Sequence, residues 1–129
     1  MAEQAAKKSA IPVVLLVDDE PLLLETIGQE LKGICKLYTA GSAAEAELRL
    51  AARRYDVIVC DHMLPGEQGL DFLSRAAELM PSTKRILITG YTSPEFISRS
   101  IAIAGLSACL VKPLRASEIA GAILAALAG

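Results

Sequence analysis

Short apolar runs recur along the chain, each closed by a polar turn and followed by apolar residues at three- and four-residue spacing. Val13–Val17 is continuous and branched, too short for a helix, and predicts a buried strand closed by Asp18 and Asp19. Pro21 then stands where a first helical turn tolerates it, and Leu24, Ile27 and Leu31 keep helical spacing until Gly33. Residues 35–39 alternate as a second strand. Ser42 with Glu45 three residues on is a capping-box start for an Ala-rich helix carrying Ala46, Leu48 and Leu50. The third strand, YDVIVCD over residues 55–61, ends abruptly in a carboxylate. Pro65, Gly66 and Gly69 then form a loop that leads into a helix over residues 70–79. A fourth strand over residues 85–89 ends in Thr89, and Ser93 and Pro94 open a helix that Gly105 stops after Ala104. The fifth strand is Ala108–Val111, and a last helix over residues 117–127 sets Ile119, Ile123 and Leu127 four apart.

Strand and helix thus alternate with short connections, the pattern of an α/β domain whose parallel sheet is covered on both faces through right-handed crossovers. The expected fold is doubly wound and flavodoxin-like, (βα)5, with a five-stranded parallel sheet of order 2-1-3-4-5. A chain of 129 residues fits one such domain. Residues 1–10, polar and Ala-rich without periodicity, are expected to be a disordered N-terminal tail. A net charge of −2 advertises no basic surface, so direct nucleic-acid binding is not expected. Although 53 % of residues are apolar, no run reaches the ~18 needed for a span, so membrane insertion is not expected either. Lys7 and Lys8 precede an apolar run that stops at Asp18 with no small-residue cleavage site, unlike a signal peptide. Cys35, Cys60 and Cys109, odd in number and widely spaced, read as reduced, buried thiols and point to the cytoplasm.

A parallel sheet of this order collects Asp18, Asp19, Asp61, Thr89 and Lys112 at one edge. Each alone is an ordinary loop residue; their joint occurrence on four strand ends points to chemistry. Carboxylates about 4 Å apart repel by roughly 4 kcal/mol per pair at an effective dielectric near 20, so they call for a cation. An oxygen-only donor set of this kind suits Mg²⁺, whereas Ca²⁺ wants more protein oxygens and a dedicated loop. Lys112 offers a point charge, and the Thr89 hydroxyl with the Gly90 amide offers donors, to the oxygens of a phosphoryl group.

The stretches LLVDDEP, VIVCDHMLPG, ILITGY and LVKP, spread over about residues 12–128, resemble the receiver domain of bacterial two-component response regulators. The resemblance implies a receiver domain over residues 11–129, with no output domain in this chain. It implies that Asp61 takes a phosphoryl group from the phosphohistidine of a sensor histidine kinase or histidine phosphotransfer protein. Asp19 and Asp61 would hold Mg²⁺ through their side chains, the backbone carbonyl of Met63 would add a ligand, and Asp18 would support them. Lys112 would pair with the phosphoryl group, Thr89 would swing toward it, and the Lys112–Pro113 bond would be cis. Such a protein is a signalling switch rather than an enzyme, although it catalyses its own phosphorylation and slow dephosphorylation. Its output would reach a protein in trans or a missing output domain, through a changed surface around helix 4, strand 5 and helix 5, which also serves homodimers.

Several residues depart from the receiver pattern. Cys109 stands three before Lys112, where receivers carry an aromatic ring that turns inward as the threonine moves, and a thiol cannot make that exchange. Tyr91, two after Thr89, is a candidate substitute. Met63 borders the path of a water attacking the phosphoryl group and is expected to slow hydrolysis. His62 is expected to face solvent. In the helix over residues 93–104, Ile97, Ile101 and Ala104 are assigned to the core. Phe96 and Ile103 fall on another side and, with Tyr91, make a candidate docking face. The stretch RILITGYT also resembles receivers fused to cyclic-dinucleotide phosphodiesterase domains. Rival readings are a receiver fold that docks without phosphorylation, against which the intact acidic set argues, and a hydrolase with Asp61 as nucleophile, which expects an acid where Met63 stands. Flavin binding lacks a phosphate-cradling loop after strand 1, and no P-loop is present.

Overall fold

A computed structural model describes residues 11–129; the tail expected over residues 1–10 lies outside the described residues. Strands β1 (Val13–Val17), β2 (Lys36–Ala40), β3 (Val57–Asp61), β4 (Lys84–Thr89) and β5 (Ala108–Val111) form one parallel sheet in the order β2-β1-β3-β4-β5. Between and after them run α1 (Pro21–Glu30), α2 (Ala43–Ala52), α3 (Gly69–Leu79), α4 (Pro94–Ala104) and α5 (Ala116–Ala128). This is the doubly wound architecture that the alternation predicts.

Strand alternation divides the core in two. Leu15, Val17, Ile58, Cys60 and Leu87 point to one face, where Ala43, Ala46, Leu50, Phe72, Leu73, Ala76 and Ala104 of α2, α3 and α4 cover them. Val14, Leu16, Val57, Val59, Ile86 and Ile88 point to the other, under Ile27 and Leu31 from α1 and the turn after it and Ile119 and Ile123 from α5. Each fully buried Leu, Ile or Phe contributes about 1.5–3 kcal/mol. Small alanines on α2 and α3 let those helices lie close to the sheet, while the strands supply the bulk.

Helix ends follow local chemistry. The Ser42 hydroxyl accepts the Glu45 amide N–H at 3.1 Å, and the Glu45 carboxylate accepts from the Gly41 N–H at 2.9 Å, one residue earlier than a strict capping box. Gly105, at φ 57°, takes the left-handed conformation that ends α4. No described helix is long and apolar enough to cross a membrane.

Two expectations about α4 are corrected. Its buried positions are Ser100 and Ala104, with Phe96 half-buried against the same core, whereas Ile101 is 41 % exposed. The buried stripe is therefore 96, 100 and 104, one residue out of phase with the Ile97–Ile101 reading. A serine occupies it because the Ser100 hydroxyl donates to the Phe96 carbonyl at 2.7 Å and needs no other partner. Ile103 is exposed, as expected. Cys35 and Cys60 are buried but Cys109 is only half-buried; all three are free, and burial raises the pKa of each thiol.

Beneath α4, buried Arg85 of β4 donates to the carbonyls of Ala104 (2.8 Å), Gly105 (3.1 Å), Thr83 (2.6 Å) and Met80 (3.3 Å). No carboxylate among the described residues pairs with it.

Candidate functional site

Register decides which residues meet at the carboxyl edge of the sheet. Val17 pairs with Cys60, so Asp18 and Asp61 leave their strands side by side. Thr89 pairs with Val111, and the Lys112 amide donates to the Thr89 carbonyl at 2.8 Å, which carries Lys112 to the same edge. The Lys112–Pro113 bond is cis, as the resemblance implies.

One carboxylate oxygen from each of Asp18, Asp19 and Asp61 lies within 4.8 Å of the others. Asp18 and Asp61 are buried and Asp19 is exposed. Asp18 Oδ1 accepts the Glu20 N–H at 2.9 Å, but its Oδ2 is buried and has no partner. Burial pushes the Asp18 carboxyl up to about 6; the neighbouring Asp61 and Asp19 charges add to the rise, and the Glu20 amide and Lys112 offset part of it. Lys112 Nζ stands 2.8 Å from Asp61 Oδ1 as an ion pair, although that oxygen receives no directed hydrogen bond. Burial alone would lower the Lys112 pKa; contact with Asp61, helped by Asp18 and Glu20, outweighs it and raises it, so the ammonium stays charged. An all-oxygen group with an unpartnered buried oxygen fits a hard divalent cation.

Gly69 is a requirement that sequence reading treats only as a loop residue. A Cβ there would fall on the Asp61 carbonyl and lie 3.0 Å from Cys60 Sγ. Its amide donates to the His62 carbonyl at 2.8 Å, closing the hairpin Met63–Leu64 with Glu67–Gln68. Pro65 and Gly66, the latter at φ 82°, make the turn. Arg75 pairs with Glu67 of that hairpin and with Glu47 of α2. Met63, two residues beyond Asp61, has a 62 % exposed side chain.

His62 does not face solvent; it is 2 % exposed. Its amide donates to the Ile88 carbonyl at 2.8 Å, which ties the backbone to β4 one residue beyond the end of β3, and the chain bends there with the imidazole packed inside. The ring meets Tyr91 at 5.5 Å and Phe96 at 5.2 Å between centroids, and those two meet each other at 5.1 Å, all edge-on. Edge-on aromatic pairs contribute about 0.5–1.5 kcal/mol each beyond burial. Thr89, 1 % exposed, accepts the Tyr91 N–H on its hydroxyl oxygen at 3.0 Å.

The response regulator receiver domain family matches residues 14–124. The chain is 36 % identical to the hydrogenase transcriptional regulatory protein HoxA of Cupriavidus necator over 78 % of its own length and 21 % of that protein's. It is 34 % identical to the DNA-binding transcriptional activator DevR/DosR of Mycobacterium tuberculosis, over 85 % of this chain and 52 % of the activator. The chain thus spans between about a fifth and a half of these relatives. Among solved structures, the signal receiver domain of an HD domain-containing protein from Pseudomonas fluorescens is similar at TM-score 0.81 and 32 % identity, covering 92 % of this chain and 88 % of that one.

Proposed function

The chain belongs to the response regulator receiver domain family, and from that premise we propose that it is the phosphoacceptor switch of a two-component phosphorelay, with Asp61 as the acceptor. The observation that carries the reading is the Lys112 ammonium set 2.8 Å from one oxygen of a buried aspartate that belongs to a three-carboxylate group.

In the proposed reaction a carboxylate oxygen of Asp61 attacks the phosphorus of a phosphohistidine. An O–P bond forms, the N–P bond breaks, and the imidazole of the donor leaves with the bonding pair. Lys112 shifts from the carboxylate to a phosphoryl oxygen and keeps its charge there. Thr89 turns its hydroxyl to another, giving up its contact with the Tyr91 amide. Asp19 and Asp61 are the proposed side-chain ligands of Mg²⁺, with the Met63 carbonyl as a further ligand and Asp18 in support; the ion, when bound, compensates charge on the carboxylates and the phosphoryl oxygens. Water attack on the same phosphorus reverses the modification, and the exposed Met63 side chain slows that approach. The domain proper spans residues 11–129 in this reading. The donor is a sensor histidine kinase or histidine phosphotransfer protein in the cytoplasm. The output, in trans or in a linked domain, is reached through α4, β5 and α5, which also offer a homodimer face.

Intact-mass spectrometry after incubation with acetyl phosphate tests this. One phosphoryl adduct is expected, requiring Mg²⁺ and absent in Asp61→Asn. An adduct that persists in Asp61→Asn, or none in wild type with Mg²⁺ bound, removes the phosphoacceptor assignment and leaves a docking module.

A further inference from the structure

His62 is fixed by its backbone and packed, but not hydrogen-bonded at Nδ1, by its ring. Its amide is held by the Ile88 carbonyl and its carbonyl by the Gly69 amide, each at 2.8 Å. The imidazole is buried, and its Nδ1 has no hydrogen-bond partner among the described residues, so the Tyr91 and Phe96 rings supply its aromatic packing without a bond to that nitrogen. Those two rings belong to the other side of the site. The Tyr91 amide is tied to the Thr89 hydroxyl, and Phe96 lies in the first turn of α4, its amide capped by the Ser93 hydroxyl at 3.4 Å. An unbroken set of contacts therefore runs from Asp61 through His62 to Tyr91 and Phe96, and a second one from Thr89 through the Tyr91 backbone to the same rings. Tyr91 is 49 % exposed, which leaves its ring room to move, and Ile101 and Ile103 farther along α4 are exposed as well. Cys109, half-buried on the same core face as Phe96, contributes only a thiol to this region.

We propose that His62 is a positioning residue of the phosphoacceptor site. Packed against both Tyr91 and Phe96, it couples the Asp61 loop to the start of α4, so that reorientation of Thr89 releases Tyr91 and the three rings pass the change to the exposed face of α4. The inference rests on the phosphoacceptor reading above. It places the coupling in an aromatic cluster between the strand-end loops and the start of α4 rather than on β5.

The protein has one histidine, which makes its ring C–H resonances unambiguous in proton NMR. The full chain would be titrated with beryllofluoride in the presence of Mg²⁺, at a pH above the ordinary imidazole range, with backbone amides of Asp61, Thr89, Ile101 and Ile103 followed in parallel. In wild type the His62 ring resonances are expected to move together with all four amides. In His62→Leu and Phe96→Leu, which keep apolar bulk, the Asp61 and Thr89 amides are expected to respond as before while the displacement at Ile101 and Ile103 falls by more than half. Tyr91→Leu, on the exposed side of the cluster, gives the same loss without touching the core. If the His62 ring stays still as Asp61 and Thr89 respond, or if Ile101 and Ile103 move as far in these variants as in wild type, His62 is filler and the proposal fails. No response at Asp61 and Thr89 in wild type, with Mg²⁺ present, overturns the phosphoacceptor reading itself and the coupling with it.

Discussion

Arg85 and Asp18 are buried charges carried by the same parallel sheet, at opposite ends of its strands, and the fold treats them in opposite ways. Arg85 spreads its guanidinium over four backbone carbonyls. Asp18 keeps one carboxylate oxygen buried and without a partner, beside two more acidic side chains. A buried polar group left unsatisfied costs about 1–3 kcal/mol, and more when charged. One end of the sheet thus uses charge to close the structure, and the other leaves charge unpaired by protein, as the proposed Mg²⁺ site requires. That asymmetry separates a structural from a functional buried charge better than burial itself does.

Removing each charge should have effects of opposite sign. Arg85→Met takes a donor from four carbonyls, of which only that of Met80 keeps another, the Thr83 amide, and is expected to lower unfolding stability by about 2–3 kcal/mol, read from the urea midpoint. An unchanged midpoint would show that water replaces the guanidinium at no cost. Asp18→Asn is expected to stabilise the metal-free protein, by roughly 2 kcal/mol at neutral pH, because it removes a charge that burial and two neighbours disfavour. The sign follows from linkage. The folded carboxyl titrates near 6 and its ordinary value is 3.8, so the folded state holds the extra proton between them and stability falls as pH rises through that window. The gain in Asp18→Asn should accordingly be absent below the window and complete above it, and the rise in melting temperature that Mg²⁺ gives wild type should shrink. A gain over wild type that is the same at both pH values would contradict the strained-carboxylate account. The smallest effect belongs to Met63→Asn: at an exposed position the melting temperature should barely move, while the phosphoryl group should be lost severalfold faster. An unchanged lifetime would clear Met63 of any part in shielding the phosphorus.

The strands, the helices and the edge that collects Asp18, Asp19, Asp61, Thr89 and Lys112 were legible from the sequence because each rests on a local rule. Apolar run length marks strands, three- and four-residue spacing marks helices, and a parallel sheet has one functional edge. The misreadings share a different origin. His62 looks like a loop residue until the hydrogen bond of its amide to the Ile88 carbonyl is known, which is a property of a strand residues away in sequence. Ser100 looks like surface because its hydroxyl is satisfied inside its own helix turn, and Ile101 looks like core because it is apolar. Gly69 looks like a flexible turn, whereas its constraint is the space occupied by the Asp61 carbonyl. Pattern reading locates polar residues at strand ends, and it misses residues whose surroundings are set by backbone elsewhere in the fold.

The contacts of Arg85 also set how α4 is attached to the sheet. They clamp the carbonyls of Ala104 and Gly105, at the carboxyl end of the helix, while at its amino end Phe96 leans on two other rings. Eleven residues at 1.5 Å each separate the two ends by about 16 Å. The helix is therefore held by two unlike attachments, directed hydrogen bonds under Gly105 and undirected ring packing at Phe96.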